Sequence, residues 1–207
     1  MMNWFRSASL SLTAMMTMST ADAAAAADAT AGRESIVLGG GCFWCLEAVY
    51  EKVRGVDAAV SGYAGGELDN PSYKQVITGR TGHAEVVLVT FDPKVVSLDT
   101  LLDVYFTIHD PTTLNRQGND VGPQYRSIAF FSNDAQKKAI EAAIARTAAS
   151  GEWRGDLVTE VVPLTRFHPA EDYHQEYFEL NGEQPYCSLV IAPKVAKFKK
   201  RFAAILK

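Results

Sequence analysis

Between Ala84 and Phe91 the chain reads Ala-Glu-Val-Val-Leu-Val-Thr-Phe, and this run constrains the fold more than any other. In a strand, alternate residues face opposite sides. One side would carry Glu85, Val87, Val89 and Phe91, the other Ala84, Val86, Leu88 and Thr90, so both faces are largely apolar. Such a strand sits within a sheet that is covered on both sides.

The flanking segments supply partners for it. A short apolar strand, Ile36 to Leu38, runs into Gly39-Gly40-Gly41 and then a helical pattern from Cys42 to about Val53, and Ala58 to Tyr63 reads as a further strand. Gly65 to Gly82, with Asn70-Pro71 and Gly79, reads mainly as turn and loop. Ser97 can cap a helix carrying Leu98, Leu101, Leu102, Tyr105 and Phe106 at helical spacing, ended by His109-Asp110-Pro111. After a polar loop from Thr112 to Pro123 come a strand (Ser127 to Phe131), an alanine-rich helix (Asn133 to Ala149, stopped by Gly151) and a last strand (Leu157 to Leu164). Phe167 to Cys187 has no clean period, and Val195, Phe198, Phe202 and Ile205 are spaced for a terminal helix. Strands alternating with helices, with several short returns, predict an α+β fold in which helices pack on a mixed sheet.

The composition, 47% apolar and 21% charged over 207 residues, fits one globular domain. A net charge of -4 gives no field that would gather nucleic acid or an anionic membrane. No apolar run reaches the roughly 18 to 20 residues that an integral membrane segment needs. Residues 1–32 are set apart: Arg6 precedes a weakly apolar stretch from Ala8 to Met18, followed by Ala21-Asp22-Ala23 in an alanine-rich tract. That order predicts a secretory signal cleaved near Ala23, with a low-complexity tail as the alternative. The signal implies a periplasmic or secreted protein, its absence a cytoplasmic one; either way residues 33–207 form a single domain.

Three cysteines are too few for a disulfide scaffold and leave redox chemistry, metal binding or packing. In Gly41-Cys42-Phe43-Trp44-Cys45-Leu46-Glu47, Cys42 falls at the first turn of a helix straight after a strand. Unpaired amides and the helix dipole favour a thiolate there, which makes Cys42 a candidate nucleophile. Other readings of the residues stay open. Cys42 and Cys45 could be buried small hydrophobes. With Cys187 and a histidine, His168 and His174 being the nearest pair, they could hold a metal. As a C-x-x-C pair they could serve a thioredoxin-like disulfide exchanger, although Phe43 and Trp44 make a better receptor for a small apolar group than a slot for a peptide.

Seven segments then carry a family likeness: Gly41-Cys42-Phe43-Trp44, Gly62-Tyr63-Ala64-Gly65-Gly66, Asn70-Pro71-Ser72-Tyr73, Thr81-Gly82-His83-Ala84-Glu85, Gln117-Gly118-Asn119-Asp120, Gln124-Tyr125-Arg126-Ser127 and His174-Gln175. Over about Ser35 to Phe198 the chain resembles the A-type peptide methionine sulfoxide reductases. The resemblance implies a two-layer α/β sandwich with a ferredoxin-like core, long loops and an irregular C-terminal segment. It also implies reduction of methionine S-sulfoxide, free or in oxidised proteins, by a monomer with no bound cofactor. The reductant would be an external dithiol, thioredoxin or a periplasmic thioredoxin-like protein.

The same resemblance distributes roles. Cys42 attacks the sulfoxide sulfur while Phe43 and Trp44 hold its methyl group. Glu85, its acidity weakened by burial, protonates the departing oxygen, and Tyr73 and Tyr125 donate hydrogen bonds to it. Asp120 orders the site and its water. A second thiol, Cys187 or Cys45, condenses with the resulting sulfenic acid. Cys187 is preferred, because a helix-borne Cys45 would need local unwinding for disulfide geometry. From the residues alone, Tyr73 and Tyr125 could be packing tyrosines and Glu85 could pair with Arg80 or Arg126. His174 and Asp110 stay outside the catalytic set, and His83 supports the turn into Glu85.

Overall fold

The computed structural model describes residues 32–207. The secretory signal and its cleavage site therefore lie outside the described residues.

Among the described residues, eight strands and six α-helices follow one another from β1 (Glu34–Gly39) through α1 (Phe43–Tyr50), β2 (Val56–Ala64), α2 (Tyr73–Val76), β3 (Ala84–Phe91) and α3 (Leu98–Ile108). Then come β4 (Arg116–Gln117), β5 (Asp120–Val121), β6 (Ile128–Phe131), α4 (Asp134–Ser150), β7 (Glu160–Pro163) and β8 (Phe167–Pro169). The last helices are α5 (Tyr177–Leu180) and α6 (Ala192–Arg201).

β3 is an inner strand of a six-stranded sheet ordered β7-β6-β1-β3-β2-β8. Its neighbours β1 and β2 run antiparallel to it, while β7 runs parallel to β6, so the sheet is mixed. The inner order β6-β1-β3-β2, joined through α1 and α3, is the split β-α-β arrangement of a ferredoxin-like core.

The alternation along β3 divides the core. Val87, Val89 and Phe91 join the main cluster with Ile36, Leu38, Leu46, Val49, Leu101, Leu102 and Phe198 beneath the helices. Ala84 and Val86 face the other way with Val37, Ile128 and Phe130, where Leu88, Val162, Leu164 and Phe167 give partial cover. Each fully buried aliphatic or phenyl side chain contributes about 1.5–3 kcal/mol. Glu85 lies on the helix side of β3, in that apolar face, opposite Tyr63 of β2.

Helix boundaries follow local chemistry. Ser97 accepts the Thr100 N–H at 3.1 Å and Asn133 accepts that of Gln136 at 2.9 Å, capping α3 and α4, while Gly151 closes α4 in the left-handed conformation (φ 68°). Three stretches without a clear period hold short elements. The polar loop after α3 contains the β4–β5 hairpin. The loop after β2 contains α2, begun by a Ser72/Gln75 capping box. Phe167 to Cys187 holds β8, a 3-10 turn (Asp172–His174) and α5, and a five-residue π-helix, Cys187–Ile191, leads into α6. These pieces are too short to display a period. Among the described residues no helix is long and apolar enough to cross a membrane.

Candidate active site

The strand, turn and helix at Gly39 to Phe43 set the position of the first thiol. Gly41 adopts φ 96°, and a Cβ there would meet the Gln117 side chain at 2.5 Å, so only glycine fits. The turn is tied to the sheet from behind: Tyr105 Oη donates to the Gly39 carbonyl at 2.6 Å and contacts Ser127 Oγ at 3.1 Å. Ser127 Oγ also bonds His109 Nε2 (2.8 Å) and Thr159 Oγ1 (2.8 Å). Burial lowers the His109 pKa to about 4, so this support is neutral at physiological pH.

Cys42 is the N-cap of α1, with extended backbone (φ -59°, ψ 127°), and is 8% exposed. The Phe43 N–H donates to Glu85 Oε2 at 3.1 Å, which fixes the carboxyl beside the helix tip. Glu85 is 1% exposed, and burial above all pushes its pKa up to about 8; the Phe43 amide pulls the other way, and the field of Asp120 adds to the rise. Neither Arg80 nor Arg126 pairs with it, since Arg126 binds Glu160 and the carbonyls of Pro123 and Gly82. At neutral pH the group is a buried acid carrying its proton.

The thiol does not follow the helix-tip expectation. Burial raises the Cys42 pKa well above the ordinary value, and contact with Cys45 and the field of Glu85 raise it further, against the pull of the Trp44 amide. Cys45, accepting a hydrogen bond from Cys42, is lowered to about 7. The Trp44 amide alone does not offset the loss of water around sulfur next to a carboxyl. All three cysteines are free and buried. Cys187 lies close enough to Cys45 for that charge to raise its pKa, although burial is the larger cause. The thiols therefore run in the order Cys42, Cys45, Cys187.

Tyr73 and Tyr125 reach the same space. Burial raises both, Tyr73 to about 12, and the fields of Glu85 and Cys42 act on each, so both hydroxyls keep their protons. Tyr73 opens α2, where its N–H donates to Glu171 Oε1 at 2.9 Å; Glu171 Oε2 accepts from Tyr63 Oη at 2.8 Å. Tyr125 closes a 3-10 turn (Pro123–Tyr125) that Arg126 holds through the Pro123 carbonyl at 2.8 Å. Asp120, at the start of β5, accepts from Tyr186 Oη at 2.7 Å. His83 bonds the Gly66 N–H and the Leu68 carbonyl, which secures the turn before Glu85.

Phe43 and Trp44 stand 6.1 Å apart between ring centroids. Three residues outside the expected set complete this wall. Tyr177 stacks on Trp44 at 3.6 Å and 6°, Tyr186 meets the Trp44 ring edge-on at 6.0 Å, and His174 lies 5.0 Å from Phe43 and 4.4 Å from Tyr73. They come from the stretch that lacks a period; the signs in it were the His174-Gln175 segment and Tyr186 standing beside Cys187.

The site thus gathers a thiol in contact with a second thiol, a protonated carboxyl, two phenolic donors and an aromatic wall. Residues 34–205 match the family model described as peptide methionine sulfoxide reductase. The chain belongs to that family. It is a methionine sulfoxide reductase, an oxidoreductase. It is 50% identical over 173 residues to the peptide methionine sulfoxide reductase MsrA of Chromobacterium violaceum, covering 84% of this chain and 98% of that one. It is 53% identical to the MsrA of Pseudarthrobacter chlorophenolicus with the same coverage. Among solved structures, reduced Mxr1 of Saccharomyces cerevisiae superposes with a TM-score of 0.70 at 37% identity, covering 76% of this reductase and 90% of that chain. Methionine sulfoxide reductase A of Corynebacterium diphtheriae gives 0.65 at 37%, covering 73% and 76%. A crystal structure of Mxr1 in complex with Trx2 gives 0.50 at 28%, covering 70% and 85%.

Proposed function

We propose that the reductase converts methionine S-sulfoxide, free or within oxidised proteins, to methionine at Cys42. The observation that carries this is the buried, proton-bearing Glu85 pinned at 3.1 Å by the Phe43 amide, beside the thiol at the same helix tip. A sulfoxide has electrophilic sulfur but a poor leaving oxygen, and a neutral acid removes that difficulty.

In the reacting complex the sulfoxide sulfur meets Cys42 Sγ, its methyl lies against Phe43 and Trp44, and its oxygen takes hydrogen bonds from Glu85, Tyr73 and Tyr125. Asp120 orders the polar side of the site. As Cys42 attacks, its thiol proton passes to Glu85 while Glu85 gives its own to the oxygen. The Sγ–sulfur bond formed in the attack then breaks as the protonated oxygen passes from the substrate sulfur to Sγ; the substrate's sulfur–oxygen bond is lost, its sulfur keeps the electron pair and leaves as methionine, and Cys42 is left as a sulfenic acid. Methyl, oxygen and attack direction are three fixed points around a chiral sulfur, so one epimer fits.

Cys42 is the cap of α1 and not part of the helix, so a bond to Cys45 requires no unwinding, and the contact between them favours Cys45 for the first step. Cys45 thiolate attacks the Cys42 sulfenic sulfur, a disulfide forms, and the oxygen leaves as water with the proton that Cys45 gave up. Cys187, next in the series, then attacks Cys45 and frees Cys42, leaving a Cys45–Cys187 disulfide. An external dithiol restores both thiols and is itself oxidised; the Mxr1–Trx2 complex supports thioredoxin or a thioredoxin-like protein in that role. If residues 1–23 direct export, the reductant is periplasmic.

Incubation with methionine S-sulfoxide and dithiothreitol tests the reading: the wild type yields methionine and Cys42→Ser yields none. Product from Cys42→Ser, or turnover of the R epimer alone, would overturn it. Without reductant, the series of thiols gives about two methionines per chain, and peptide mapping finds Cys45 joined to Cys187. A Cys42–Cys187 bond after one turnover excludes Cys45 as the intermediary.

A further inference from the structure

The Tyr186 side chain, which helps lower the Cys45 pKa, also stands where the aromatic wall meets Asp120. It donates to Asp120 Oδ2 at 2.7 Å, its ring stands edge-on to Trp44 at 6.0 Å, and its backbone leads straight into Cys187. Cys187 is 0% exposed and begins the π-helix, a wide turn that often marks a functional site. Both partners of the Tyr186–Asp120 bond line a cavity of about 250 Å³, together with Gln117, Asn119, Val190 and Lys194. The bond thus joins two lining residues of that cavity, one of them next in sequence to the buried Cys187.

We propose that the Tyr186–Asp120 hydrogen bond is a latch: closed, it orients Asp120 and seals the thiols during sulfoxide reduction, and it opens to let an external dithiol reach Cys187. The proposal rests on the reading of Cys187 as the thiol that passes oxidation outward. Re-reduction needs a thiolate of the dithiol to attack Cys187 Sγ along the S–S axis. That bond breaks with Cys45 leaving as thiolate, and the second external thiol then displaces Cys187. A sulfur with no exposed surface cannot take part until its cover moves. Tyr186 acts here as a positioning residue, through Asp120 and through the segment it anchors.

The test is the rate at which iodoacetamide labels Cys187 in the fully reduced, full-length chain, read by peptide mass. Removing one hydrogen bond to a carboxyl predicts about tenfold faster labelling in Tyr186→Phe. Asp120→Ala should match it, the double variant should exceed neither single one, and Asp120→Asn, which keeps an acceptor oxygen, should stay near wild type. A loss of packing alone would give multiplicative effects and no rescue by asparagine. Unchanged labelling in Tyr186→Phe and Asp120→Ala overturns the latch, as does a multiplicative double variant. Should Tyr186→Phe fail to fold, the contrast between Asp120→Ala and Asp120→Asn decides alone. No sulfoxide enters this assay, so the latch can fail while methionine formation stands, and the reverse.

Discussion

The two walls of the site are built differently. On the sheet side, regular elements hold Cys42 and Glu85, and the polar groups behind them are paired: Ser127, His109, Tyr105 and Thr159 form a closed set. On the other side, residues 172–187 wrap the aromatic wall with single turns. There, His174 Nδ1 and Nε2 and Trp44 Nε1 are buried without a hydrogen-bond partner. Glu47, in the second turn of α1, is raised to about 7 by burial. Paired polar groups rigidify a structure, whereas unpaired ones are a standing cost. The contrast fits a division of labour: the sheet side fixes the reacting groups, and the wrap carries the thiol that has to move.

The largest effect should come from the sheet side. Glu85→Gln keeps a hydrogen-bonding side chain but has no proton to transfer, so methionine formation should fall about 10²–10⁴-fold. Wild-type activity should decline as pH rises through about 8, where Glu85 loses its proton, and the variant should lack that limb. Stability moves with it. The folded protein keeps a proton that the unfolded chain releases above its ordinary value of 4.5. The contribution is full below that value, declines above it and is lost as pH passes about 8. Relative to wild type, Glu85→Gln should therefore be more stable at pH 9 than at pH 5, on the order of a few kcal/mol by denaturant titration. Equal differences at both pH values would place Glu85 in water.

Ser127→Ala probes the paired network. It strands His109 Nε2 in a dry interior, which costs about 1–3 kcal/mol, and it loosens the Tyr105 hydroxyl that holds the Gly39 carbonyl. A lower melting temperature together with slower methionine formation is the expected pair of results. A loss of stability with an unchanged rate would detach the network from the turn.

Legibility in the sequence followed the same division. The two faces of Ala84–Phe91, the caps Ser97 and Asn133 and the stop at Gly151 were readable because each rests on a local or periodic signal, and so was the placement of Cys42 at a helix tip. The direction of the Cys42 shift was not, because burial and the approach of Glu85, 43 positions away, are properties of packing. Tyr177 stacked on Trp44, and Tyr186 bonded to Asp120, are contacts across 133 and 66 positions that no spacing announces.

The smallest effect, and the sharpest test of the contrast, is expected from the wrap. Neutral imidazole carries one donor and one acceptor, and in His174 both are dry among Phe43, Trp44, Tyr73 and Tyr173, with burial lowering the pKa. Replacement by leucine, close in volume, removes two unpaired polar atoms worth about 1–3 kcal/mol each. Against that stand the lost ring contacts, about 0.5–1.5 kcal/mol for each aromatic pair. The two nearly cancel, so His174→Leu should change the free energy of unfolding by about 1 kcal/mol or less, whereas Ser127→Ala lowers it clearly. A loss in His174→Leu as large as in Ser127→Ala would mean that the imidazole nitrogens find partners in solution, ordered water being the first to seek. The wrap would then be as fully bonded as the sheet side, and the proposed division between a fixed half and a movable half would lose its energetic basis.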